Sequence, residues 1–194
     1  MKFNFSKLLG LSLVTLVSCG AKGPSTISYA DYRAKAIAST PEAWTSATVN
    51  CSEQEIGKDP VSVSAKFNYT NNAWVAEDQT YQDLSQYLYT AKEYGESLPE
   101  EEKVPTLPEG AEYTVNYYAD LSMYGRIYYS ASQSGITMSV EYITKVEFAQ
   151  GGWLSYMYMK EVMTYSGVTP EMEEYGMHNG SEGGEMTVTV SYSK

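Results

Sequence analysis

The chain has 194 residues, 43% of them hydrophobic, with 24 acidic side chains against 13 basic ones and a formal net charge of −11. That acidity opposes binding to nucleic acid or to anionic lipid head groups, whose phosphates would be repelled. The length suits one domain with a sizeable core, and two cysteines leave little room for a disulfide framework.

In chain order, the first segment is a leader. Lys2 and Lys7 precede an apolar run from Leu8 to Val17, about half of the roughly 20 residues that a membrane-crossing helix needs. A basic start, a short apolar stretch and small residues make a secretory signal peptide. The ending Leu16-Val17-Ser18-Cys19, followed by Gly20, resembles the lipobox of bacterial lipoprotein precursors. That resemblance implies cleavage after residue 18, a diacylglyceryl group on the Cys19 sulfur, and attachment at the extracytoplasmic face of the cell membrane. An ordinary export signal with a coincidental cysteine is the alternative. Removing residues 1–18 takes away Lys2 and Lys7 and no acid, so the net charge moves from −11 to about −13. Two acyl chains are enough to hold such a body at a bilayer that its charge disfavours.

Residues 19–27 then form a small, polar tether, and residues 28–194 form a single domain. A short amphipathic helix is expected from Ser28, with Ser28 as cap, Asp31 in the first turn and Pro41 as the stop. Ala47, Val49 and Cys51 alternate with polar residues as on a strand, which makes Cys51 a buried thiol. A hairpin follows. Val61, Val63, Ala65, Phe67 and Tyr69 point one way, Asn71-Asn72 turn the chain, and Ala73 to Glu77 return. Thr80 to Gly95 reads as a second helix, with Tyr81, Leu84, Leu88 and Ala91 as its stripe. The prolines and acids of residues 97–110 mark a solvated loop.

From Ala111 onward the pattern is of strands. Tyr113, Val115 and Tyr117 alternate, then Ile136 through Phe148 at every second position. Ala149 to Gly152 turn the chain, residues 153–162 return, and residues 186–193 make the last strand; the glycine-rich stretch 166–185 before it reads as a loop. The expected fold is α+β, a curved, half-barrel-like antiparallel sheet with two main helices packed on one side.

No catalytic constellation stands out. The sequence has no G-x-S-x-G elbow outside the leader and no phosphate-binding P-loop, and its single histidine argues against a zinc site. An enzyme is not expected, nor a cofactor or metal. Met157, Met159, Met163, Met177 and His178 are soft ligands of the kind cuprous copper takes, but they form no compact motif.

The unusual feature is the stretch WLSYMYMKEVM. Period two puts Trp153, Met157 and Met159 on one face and Leu154, Tyr156 and Tyr158 on the other, so both faces are apolar or amphipathic. Such a strand is covered on both sides or faces a cavity on one. Methionine adapts to ligands of varied shape, and tyrosine joins an apolar ring to a hydroxyl. Trp153, Tyr156, Met157, Tyr158 and Met159 are therefore candidate walls of a lipophilic pocket, with a plain methionine-rich core as the alternative. With the lipobox in front, the element order over residues 28–192 is similar to the bacterial lipoprotein carriers of the LolA and LppX/LprG type, whose half-closed sheet encloses acyl chains. That likeness implies binding of a lipid or other hydrophobic small molecule. The competing expectation is a surface interaction module that touches a protein or glycan through tyrosines such as Tyr117, Tyr118, Tyr128 and Tyr129.

Overall fold

Strands dominate because β-branched and aromatic residues recur at every second position. The computed structural model describes residues 24–174 and 177–194, so the expected leader, Cys19 and most of the expected tether lie outside the described residues. One open antiparallel sheet of nine strands runs through the structure in the order β1-β5-β6-β7-β8-β9-β2-β3-β4. Its members are β1 (Thr26–Ile27), β2 (Ser46–Glu55), β3 (Val61–Thr70), β4 (Ala73–Ala76), β5 (Glu112–Tyr118), β6 (Met123–Gln133), β7 (Ile136–Phe148), β8 (Leu154–Ser166) and β9 (Gly180–Ser193). The two edges are the shortest strands, which leaves little free ladder for another chain to extend.

Turn chemistry fixes the register. Asn71 and Asn72 sit at φ 54° and 61° between β3 and β4, the left-handed pair that a tight hairpin turn demands. Ser134 and Gly135 make the same turn between β6 and β7, at 54° and 85°. The β3–β4 hairpin and the long alternation of β7 follow the expected pattern.

Helix α1 (Tyr29–Ile37) begins as expected, the Asp31 amide donating to Ser28 Oγ at 3.1 Å. Tyr32 is fully buried and donates its hydroxyl to Leu121 O at 2.9 Å, while its ring lies 4.9 Å from that of Tyr117 on β5. The expected second helix is in fact two elements. A 3₁₀ helix covers Gln79–Tyr87, and α2 (Ala91–Ser97) starts afresh at Thr90 with a reciprocal capping box to Glu93. Gly95 does not stop α2 but lies inside it, because a Cβ there would come within 2.8 Å of Ala36 Cβ on α1. Residues 98–111 carry no strand or helix, as expected. The stretch 166–185 is only partly a loop. It holds the four-residue α3 (Pro170–Glu173), and β9 begins at Gly180, where Gly183 and Gly184 pair with Val162 and Glu161.

The core lies on one face of the sheet, under the helices. It joins Tyr29, Tyr32 and Ala36 of α1, Ala91 and Tyr94 of α2, and a band of sheet residues that includes Val49, Phe67, Met123, Val146, Met157 and Val188. Strands β6 to β9 run beyond this band: in the thirteen residues of β7 only Val146 is buried. We call the two faces helix-side and outer.

Candidate functional site

Strand β8 carries four of the five candidate residues and Trp153 immediately precedes it, and a β-bulge at the start of the strand decides where they point. Phe148 pairs with Leu154 and Glu147 with Tyr156, which leaves Ser155 as the extra residue. Its hydroxyl donates to Glu147 O at 3.1 Å. The bulge breaks the strict alternation expected here. Leu154 joins Met157 in the helix-side core, at 0% and 7% exposure, instead of sharing a face with Tyr156 and Tyr158. Trp153 packs against the same core, with its ring 5.6 Å from those of Trp74 and Tyr192 and its Nε1 donating to Glu42 O at 2.8 Å. Met159 is half-buried beside Met186, whose sulfur accepts the Tyr87 hydroxyl at 3.6 Å.

The five residues thus divide between the two faces. Trp153, Met157 and Met159 pack toward the helices, whereas Tyr156 and Tyr158 stand half-exposed on the outer face. Further out on the helix-side face, beyond the helices, Ile127, Tyr142, Val140 and Met163 are also half-exposed. Cys51 is buried in the core, and burial, then the charge of Glu53, pushes its thiol up to about 11. That leaves it protonated and inert at neutral pH. Of the soft residues considered for copper, Met163 accepts the Tyr165 hydroxyl on the open part of β8, while Met177 and His178 lie just before β9. Among the described residues no group of three or more His, Cys, Asp or Glu is placed to hold a metal ion.

The outer face holds what the sequence reading passed over. Two neighbouring rungs cross four strands: Tyr156, Thr189, Asn50 and Ser64 in one, Tyr158, Thr187, Ser52 and Ser62 in the next. Between β9, β2 and β3 these rungs enclose a shallow trough of about 230 Å³ lined by Asn50, Ser52, Ser62, Ser64, Thr187 and Thr189, with Cys51 and Val63 at its floor. Ser62 donates to Ser52 at 3.0 Å within it. The signal for these residues was present in the sequence as the polar partners of each alternation.

Charges on the outer face neutralise one another. Arg126 Nε and Lys160 Nζ both hold Glu141, at 3.0 and 2.7 Å, and Arg126 also reaches Glu112 at 3.1 Å. The Lys160 hydrogen bond, then that of Arg126, lowers the Glu141 carboxyl below its usual range against the opposing effect of burial. Lys145 pairs with Glu147 at 2.5 Å and also lies 5.1 Å from the centre of the Tyr156 ring, a cation–π distance. Tyr158 donates to Glu185 at 2.7 Å, and burial and that bond raise its phenol well above the usual range. Tyr156, beside Lys145, and Tyr158, bonded to Glu185, therefore present positioned rings beside a row of hydroxyls.

No family model, curated protein or solved structure matches the chain. Among the described residues no helix is long and apolar enough to cross a membrane.

Proposed function

We propose that this chain is a lipid-anchored extracytoplasmic interaction module, held at the cell membrane through Cys19, which makes contact through the outer face of its sheet. The anchor rests on the lipobox-like LVSC sequence and the leader before it. The observation that carries the contact face is the two neighbouring rungs that run from Tyr156 and Tyr158 into a hydroxyl-lined trough, with no helix of the described residues laid over it. Aromatic rings with polar tips beside unburied hydrogen-bonding groups are the usual composition of a recognition surface. A half-barrel-like curve of the sheet, with the helices packed on the opposite side from this trough, belongs to the same reading. Nothing in it calls for catalysis, a cofactor or a metal.

Photo-crosslinking on intact cells tests the face. With p-benzoylphenylalanine at Thr187, irradiation is expected to give adducts of reduced gel mobility, and the same probe at Val104, on the loop before β5, is expected to give none. Equal yields from both positions, or none from Thr187, would overturn the contact face. For the anchor, radioactive palmitate is expected to label the wild-type chain and not Cys19→Ser.

A second reading, binding of a lipid or other hydrophobic small molecule, draws support from the half-exposed helix-side strip of Met159, Met163, Tyr142 and Ile127. Native mass spectrometry of protein purified without detergent separates the two. A co-purifying lipid would favour this second reading, and a bare mass favours the interaction module.

A further inference from the structure

We infer that the outer-face trough takes a neutral glycan. The inference rests on the contact face proposed above and names what that face would recognise. Three observations lead to it. The lining is made of hydroxyl and amide side chains, Asn50, Ser52, Ser62, Ser64, Thr187 and Thr189. Each hydroxyl both donates and accepts and turns to suit its partner, which matches a ligand whose own groups are hydroxyls. Tyr156 and Tyr158 border the trough one strand away, on the same rungs as Thr189 and Thr187. A phenol ring offers a flat apolar surface to the C–H face of a sugar, and its position is fixed here by Lys145 over Tyr156 and by the Tyr158–Glu185 hydrogen bond.

Charge supplies the third observation and selects against other ligands. On the outer face Arg126, Lys145, Lys160 and Lys66 stand against Glu112, Glu141, Glu147 and Glu185, and most of them are already in ion pairs with each other. An anionic glycan would find most of the outer-face cations already paired, and would approach a chain of net charge −11. A protein partner would need a large apolar centre to bury, and in the trough only Cys51 and Val63 at the floor are apolar side chains, under walls of hydroxyl and amide groups. The three strands of the trough and the tyrosine-bearing β8 beside it, at a spacing of about 4.8 Å, span the length of a short oligosaccharide laid across them.

The test is calorimetric titration of the full-length protein, expressed in bacterial membranes and solubilised in mild detergent. The probes are maltohexaose, cellohexaose and chitohexaose as neutral ligands and a polygalacturonate hexamer as the anionic one. At least one neutral hexasaccharide is expected to bind saturably, and the polygalacturonate hexamer is not. The double variant Tyr156→Ala, Tyr158→Ala should weaken that binding by about tenfold or more. Thr187→Val with Thr189→Val, which keeps both rings, should weaken it by a smaller factor. Neither pair lies in the core, so an unchanged melting temperature verifies the fold of each variant. Binding by none of the neutral probes, binding by the anionic probe alone, or binding indifferent to both double variants would overturn the inference. If that happens while Thr187 still gives crosslinks on cells, the contact face stands and the ligand class is wrong. If the crosslinks are also lost, the face itself is wrong.

Discussion

The sheet has two regions built from the same alternating pattern and put to different use. Under α1, α2 and the 3₁₀ helix, the inward positions are sealed: Phe67, Val49, Leu154 and Val188 are at 0% exposure. Along the outer parts of β6 to β8, equivalent positions such as Ile127, Val140 and Met163 remain half-exposed, although they alternate just as regularly. Alternation therefore specifies which face a residue belongs to. Whether that face is covered depends on where the helices fall, and those are only nine and seven residues long.

Substitutions on either side of this boundary should differ most in stability. Phe67→Ala is expected to cost about 3–5 kcal/mol in a denaturant titration, because the site is sealed and leaves a cavity. The same experiment on Val140→Ala should show about 1 kcal/mol or less, and an equal loss at both positions would erase the distinction between the regions. Next in size is Gly95→Ala. The added methyl meets Ala36 Cβ at 2.8 Å and the Ile37 amide nitrogen at 3.0 Å, so the two helices must part at a cost of about 1–3 kcal/mol.

The outer-face ion pairs give the smallest effect and a signed pH dependence. The Glu141 carboxyl is held low chiefly by Lys160 and then by Arg126. A depressed acid stabilises the fold above its unfolded value, about pH 4.3 for glutamate, and that contribution disappears as the pH falls through the lower native value. Since these groups are partly exposed and screened, Glu141→Gln should cost about 0.5–1 kcal/mol at pH 7. The variant and wild type should converge when unfolded by denaturant in strong acid. Cys51 acts at the opposite end of the scale: its raised thiol favours the folded state below the unfolded value, and that support fades as the pH rises toward about 11.

Much of this fold was legible from local chemistry. Ser28 caps α1, Asn71-Asn72 turns the first hairpin, and the run from Ile136 to Phe148 is a strand throughout, because each depends on residues close in sequence. Three features were not. The bulge at Ser155 shifts the phase of β8 without changing its composition, so period two misplaced Leu154 while putting Tyr156 and Tyr158 on the correct shared face. The stripe from Tyr81 to Ala91 looked continuous, yet Thr90-Ala91-Lys92-Glu93 has the capping-box spacing that marks a new start. Gly180 to Gly184 looked like a loop because glycine disfavours strands. In the sheet those glycines are required where backbones approach closely, since a Cβ on Gly183 would lie 2.0 Å from Glu161 O. The candidate site was legible as residue types but not as a place: the sequence marked Met and Tyr on β8, whereas the trough is assembled from the polar halves of β2, β3 and β9.

Cysteine scanning of β8 tests most directly the claim that this strand has one packed and one open face. In a Cys51→Ser background, Tyr156→Cys, Met157→Cys, Tyr158→Cys and Met159→Cys would each be reacted with a maleimide under native conditions, with rates corrected for the chain lacking the added thiol. Fast labelling at 156 and 158, almost none at 157 and an intermediate rate at 159 is the predicted profile. Fast labelling at 157, or protection at 156 and 158 equal to that at 157, would contradict it.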